Sequence, residues 1–125
     1  NMDYGMFLPI QQAAIAAITG DQSCVETTRA AYEQRRNCLC DGFSAIGWRM
    51  ERPMATMFVW AQVPEHYPDS ESFAMDLVEK AGVIVTPGSA FGPSGEGYVR
   101  LALVQDLEAI RRAVDAVAAS GILKG

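Results

Sequence analysis

The sequence predicts an α/β (α+β) domain, with a small mixed or mainly antiparallel sheet, helices packed on one face of it, and a long helix ahead of it. Three observations carry this. Residues 21–46 keep a three- and four-residue rhythm of core-type positions, the mark of an amphipathic helix. Residues 55–63 alternate in the manner of a strand. Residues 83–103, VIVTPGSAFGPSGEGYVRLAL, read as strand, glycine-rich turn and strand.

Taken in order, residues 1–7 have no clear period, and Asp3-Tyr4-Gly5 has turn composition. Pro9 suits a helix's first turn, and Ile10, Ala14, Ala17 and Ile18 form one stripe of an alanine-rich helix that Gly20 stops. Asp21 can cap the next helix, whose stripe is Val25, Thr28, Tyr32, Arg35, Leu39, Gly42, Phe43 and Ile46, with Arg29, Glu33 and Arg36 on the wet side. At 1.5 Å per residue it would span roughly 35–40 Å. Gly42 weakens its end and Gly47 is expected to stop it. Trp48–Arg52 is expected as a short strand broken at Pro53.

Ala55–Val63 is the strong strand, ended by Pro64. Both of its faces carry apolar residues, so it is expected to be buried on both sides for part of its length, with Phe58 and Trp60 in the core. Asp69 or Ser70 caps a helix over 71–80 that Gly82 ends. The β-branched run Val83-Ile84-Val85 suits a buried strand. In 98–103, Val99, Leu101 and Leu103 share an apolar face, while Tyr98, Arg100 and Ala102 share the other. Strands 55–63 and 97–103 are expected to pair. Asp106 opens the last helix, Gly121 stops it, and 122–125 is expected to be a loose tail.

Composition narrows the function. A net charge of −5 argues against a nucleic-acid surface, and the adjacent pairs Arg35-Arg36 and Arg111-Arg112 are read as solvated helix faces. No apolar run approaches the ~18 residues of a membrane span. The three cysteines, Cys24, Cys38 and Cys40, form no disulfide framework or metal spacing, which fits a reducing cytoplasm. The glycine cluster lacks the Gly-Lys-Ser/Thr of a phosphate loop. The one histidine, His66, sits in a proline-bounded loop without a marked partner. Arg100 is the candidate of interest. It is either an exposed arginine on an open sheet face or, beside a turn that leaves room for close approach, a bidentate carboxylate ligand.

The segments PGSAFG and GEGYVRLAL, the opening NMDYGMFLPIQQAAIAAI and the middle ATMFVWAQVP resemble, in order and across essentially all of the chain, the C-terminal region of class I/II aminotransferases. These are fold-type-I enzymes that use pyridoxal 5'-phosphate (PLP), and the opening resembles the aspartate, alanine and LL-diaminopimelate branch. The resemblance implies that Arg100 grips the substrate α-carboxylate and that Tyr4 faces a substrate in the partner subunit of a homodimer. It implies an interdomain or interface segment over 1–20 and a small domain over 21–125, with the long helix linking two domains. It places the family's Schiff-base lysine shortly before the NMDYG-like segment, and neither Lys80 nor Lys124 matches it. The chain therefore reads as the C-terminal piece of an enzyme that moves an amino group between an amino acid and a 2-oxo acid. Alone, without the large domain, it is expected to be inactive and to hold no PLP covalently, with no catalytic, cofactor-binding or metal-ligating residue of its own. The alternative is a non-catalytic α/β module that binds a small carboxylate or dimerises.

Overall fold

The computed structural model describes residues 5–125. The chain divides into two compact units, residues 1–31 and 32–125.

In the first unit, α1 (Leu8–Thr19) begins with Pro9 in its first turn, where the missing N–H costs nothing. None of its residues is buried, and Leu8, Ile10, Ile15 and Ile18 are all more than half exposed. Asp21 accepts from the backbone N–H of Ser23 (3.0 Å) and from its hydroxyl, opening α2 (Ser23–Ala45). The α2 residues Val25 and Thr28 are exposed, so the expected stripe is buried only further along.

In the second unit, the end of α2 supplies Leu39, Cys40 and Phe43 to the core. Gly42 does more than weaken this helix. A Cβ there would stand 2.9 Å from Cγ2 of Val114, so its absence lets α2 lie close against the last helix. Arg35 and Arg36 are not a solvated pair, because both are half-buried and used locally. Arg35 donates to the Leu103 carbonyl (3.2 Å), and Arg36 donates to the Pro53 carbonyl (3.1 Å). Arg111 and Arg112 are exposed, as expected.

Residues 48–52 form no strand. The Met50 N–H bonds to the Ser44 hydroxyl (3.1 Å) and the Trp48 indole donates to the Gln62 carbonyl (2.8 Å), so this segment is fixed by side chains instead of a ladder. Trp48 and Met50 are nonetheless buried, with Trp48 edge-on to Phe43 and Phe73.

The sheet is antiparallel with order β1-β3-β2, from β1 (Phe58–Gln62), β2 (Thr86–Pro87) and β3 (Tyr98–Ala102). The expected pairing of the two longer strands holds, with Trp60 opposite Arg100 and Val59 opposite Leu101. β1 starts later than its alternation suggests, because Thr56 takes a φ of 75°, a turn conformation that a β-branched residue rarely adopts. β2 is shorter than Val83-Ile84-Val85 implied. Val83 and Val85 pack on the core, but Ile84 is 85% exposed and pairing with β3 starts only at Thr86.

Asp69 accepts from the Ser72 N–H (2.7 Å) and caps α3 (Ser70–Asp76), which runs into a π turn, Leu77–Ala81, closed by Gly82 at φ 66°. Asp106 caps α4 (Leu107–Ser120) by accepting from the Ala109 N–H (2.7 Å). Val59, Ala61, Val99 and Leu101 meet Leu39, Phe43, Phe73, Ile110, Val114 and Val117 in one core, which places α3, α4 and the end of α2 on a single face of the sheet. The chain end is not a loose tail. Ile122 is buried, and its carbonyl lies 2.9 Å from His66 Nε2. No helix among the described residues is long and apolar enough to cross a membrane.

Candidate carboxylate site on the open sheet face

The strand alternation that buries Val59, Val99 and Leu101 turns Phe58, Trp60, Tyr98 and Arg100 to the uncovered face. Phe58 and Trp60 are therefore not core residues. Phe58 is half-buried, while Trp60 is 43% exposed and stacks on Tyr98, with centroids 5.6 Å apart and planes 14° from parallel. The choice between core and platform could not be made from β1 alone, since both of its faces are apolar.

Arg100 sits among these rings. Its Cζ lies 4.2 Å from the centroid of Phe58 and 4.6 Å from that of Phe91. Trp60 in turn meets Phe91 edge-on at 5.9 Å. Among the described residues Arg100 makes no hydrogen bond or ion pair, in contrast to Arg52, which holds Asp41 with both Nε and Nη2, and Arg112, which holds Glu108 at 2.9 Å. A guanidinium presents five N–H donors in a fixed fork. Here it is half-buried, ring-flanked and, among the described residues, without a counter-ion. Such a group suits a planar carboxylate, which can take two parallel hydrogen bonds from it.

Phe91 reaches this face from the glycine-rich turn, which folds as two successive 3-10 turns, Gly88–Phe91 and Pro93–Gly95. The turn is tied down by Glu96. Its carboxylate accepts from the Gly97 N–H (2.7 Å), the Ser70 N–H (2.7 Å) and the Ser70 hydroxyl (3.2 Å). The N–H bonds from Gly97 and Ser70 hold its carboxyl below the usual range. Fully buried Ser70 also contacts Ser89 through its hydroxyl at 3.4 Å, joining the turn to the start of α3. Neither Phe91 nor the Ser70–Glu96 tie stood out in the sequence. The only local signal was a phenylalanine lodged between glycines.

Of the two candidate ligands named from the sequence, Arg100 occupies the open face expected of it, and Tyr4 lies outside the described residues. Lys80 is bound to Asp76 at 2.7 Å on an exposed helix flank.

A profile of the family "aminotransferase class I and II" matches residues 4–117. The chain belongs to the class I and II aminotransferase family. It is 46% identical over 115 residues to an LL-diaminopimelate aminotransferase of Moorella thermoacetica, covering 92% of this chain and 29% of the relative. It is 44% identical over 119 residues to the glutamate-pyruvate aminotransferase AlaC of Escherichia coli, covering 94% of this chain and 29% of that protein. The structure superposes on substrate-bound BacF from Bacillus subtilis with a TM-score of 0.83 and 37% identity, over 92% of this chain and 30% of that one. The chain thus spans about 30% of the length of the aminotransferases it matches.

Proposed function

We propose that this chain is the C-terminal, small-domain part of a PLP-dependent aminotransferase, and that Arg100 binds the α-carboxylate of its amino-acid and 2-oxo-acid substrates. The observation that carries this reading is the half-buried Arg100 guanidinium, bracketed by Phe58 and Phe91 and free of any carboxylate among the described residues. A bidentate hold would fix both the position and the rotation of a small zwitterion, which sets the bond to be broken at Cα against the reacting group. Phe58, Phe91 and Trp60 would shield that ion pair from water on one side and so strengthen it.

The residues described here fit the substrate's carboxylate end and not the cofactor. PLP, when bound, supplies the electron sink for the substrate carbanion. Lys80 is already engaged by Asp76, and Lys124 lines a groove with Val117, Ala118 and Leu123, away from the Arg100 cluster. We assign no reaction step to either lysine. On this reading the 125-residue chain alone does not transaminate and takes up no PLP at a single specific lysine. Residues 1–20 would be an interface segment, in keeping with the exposed apolar side chains of α1, and the working enzyme a homodimer. The free cysteines suit a reducing cytoplasm.

The test is steady-state kinetics of the intact enzyme that contains this chain. Removing one partner of a hydrogen-bonded charge pair costs ~2–5 kcal/mol, so Arg100→Ala should lower kcat/KM for an amino-acid substrate by about 30-fold or more. The same substitution should barely affect turnover of the corresponding amino-acid amide, which lacks the carboxylate. An equal loss with both substrates would sink the clamp.

A further inference from the structure

We infer that Phe58 and Phe91 are positioning residues for the Arg100 guanidinium, and that the glycine-rich turn thereby sets how tightly the site takes a carboxylate. This deepens the carboxylate-clamp reading above and rests on it. An arginine on an open sheet face has a long, flexible stem and many rotamers, and ordering it at the moment of binding weakens affinity. Arginines are commonly ordered by an acidic partner, as Asp41 orders Arg52. Such a partner would occupy the N–H donors and compete with the ligand.

Two aromatic rings solve this differently. They attract the cation through their π faces and take none of its five N–H groups. The two rings come from different elements. Phe58 is fixed by the β1–β3 ladder, where it stands opposite Ala102. Phe91 is carried on the glycine-rich turn, so the turn and not the sheet ladder sets where its ring stands. Its position there depends on two contacts, the backbone approach of Gly88 to Gly95 and the tie between Glu96 and Ser70. Trp60, opposite Arg100 in the ladder, also meets Phe91, with ring centroids 5.9 Å apart. The geometry of the turn is in this way passed through one ring to the guanidinium.

The experiment uses the intact enzyme, with 2-oxoglutarate as the carboxylate probe, provided it is accepted as a substrate, and otherwise pyruvate. Its dissociation constant is measured by calorimetry and its kcat and KM by steady-state kinetics. Phe91→Leu keeps apolar bulk but removes the ring. It should weaken binding and raise KM by about five- to tenfold, the range expected for a partly desolvated cation–π contact, while kcat stays within about twofold. Phe91→Tyr, which keeps the ring, should restore the wild-type constants. Phe58→Leu should act in the same direction. Phe91 is 52% exposed in this chain, so its variants leave the buried core of the 125-residue domain untouched. If Phe91→Leu leaves the dissociation constant unchanged while Arg100→Ala raises it, the bracket is wrong and the clamp stands. If Arg100→Ala also leaves it unchanged, the clamp itself fails and the bracket with it.

Discussion

Gly88 and Gly95 lie backbone against backbone, so that a Cβ on Gly88 would stand 1.8 Å from the Gly95 carbonyl oxygen, and one on Gly95 would stand 2.1 Å from that of Gly88. Both residues are buried. The atoms in the way are backbone, which cannot rotate aside. Gly88→Ala should therefore destabilise the domain by about 3 kcal/mol, at the upper end of overpacking costs. Urea unfolding of the 125-residue chain measures this, and an unchanged midpoint would show that the turn is looser than described.

Glu96 ties the same turn with a pH-dependent bond. Its carboxyl is held below its ordinary value of 4.5 by the N–H groups of Gly97 and Ser70, and the Ser72 N–H likewise lowers Asp69. The folded state therefore prefers the ionised carboxylates. The stability they contribute is fully present above the unfolded-state values and is lost as pH falls through the lowered folded values. Glu96→Gln should reduce the melting temperature at pH 7 and flatten its decline between pH 5 and 3. Parallel melting curves for wild type and Glu96→Gln across that range would contradict the tie.

Gly42 and Val114 offer a test in which a sign changes. Alanine is favoured over glycine by ~1 kcal/mol inside a helix. Against this, the added methyl of Gly42→Ala would meet Val114 Cγ2 at 2.9 Å. In the wild-type background the substitution should destabilise, by up to about 2 kcal/mol once the helix gain is subtracted. In a Val114→Ala background the space is open and the same substitution should stabilise. A double-mutant cycle by denaturant unfolding reads the coupling, and simple additivity would mean that α2 and α4 do not touch there.

How far the sequence reached can be judged from individual residues. The caps at Asp69 and Asp106 and the stops at Gly82 and Gly121 were legible because each depends on local chemistry. The pairing of 55–63 with 97–103 and the apolar face of Val99, Leu101 and Leu103 followed from alternation. Trp48–Arg52 misled because its apolar residues are buried by an indole and a serine hydroxyl instead of a strand partner. Ile84 misled because a β-branched triplet does not show whether a neighbouring strand lies beside it. At the candidate site, the place of Arg100 on the open face was legible from strand alternation. Phe58 was assigned to the core because alternation separates two faces without saying which one the helices cover. Phe91, Ser70 and Glu96 depend on how the turn folds back on α3, which no local pattern records.

If Arg100 takes a carboxylate, its removal must cost affinity for a 2-oxo acid. The most direct measurement is the dissociation constant of a 2-oxo acid, pyruvate or 2-oxoglutarate, for the intact enzyme and its Arg100→Ala and Arg100→Lys variants. A lysine keeps the charge but not the fork. Affinity should fall about 30-fold or more for Arg100→Ala, with Arg100→Lys recovering only part of the loss. Wild-type affinity in Arg100→Ala would contradict this, and the guanidinium beside Phe58 and Phe91 would then be a structural feature of the sheet face and not a ligand site.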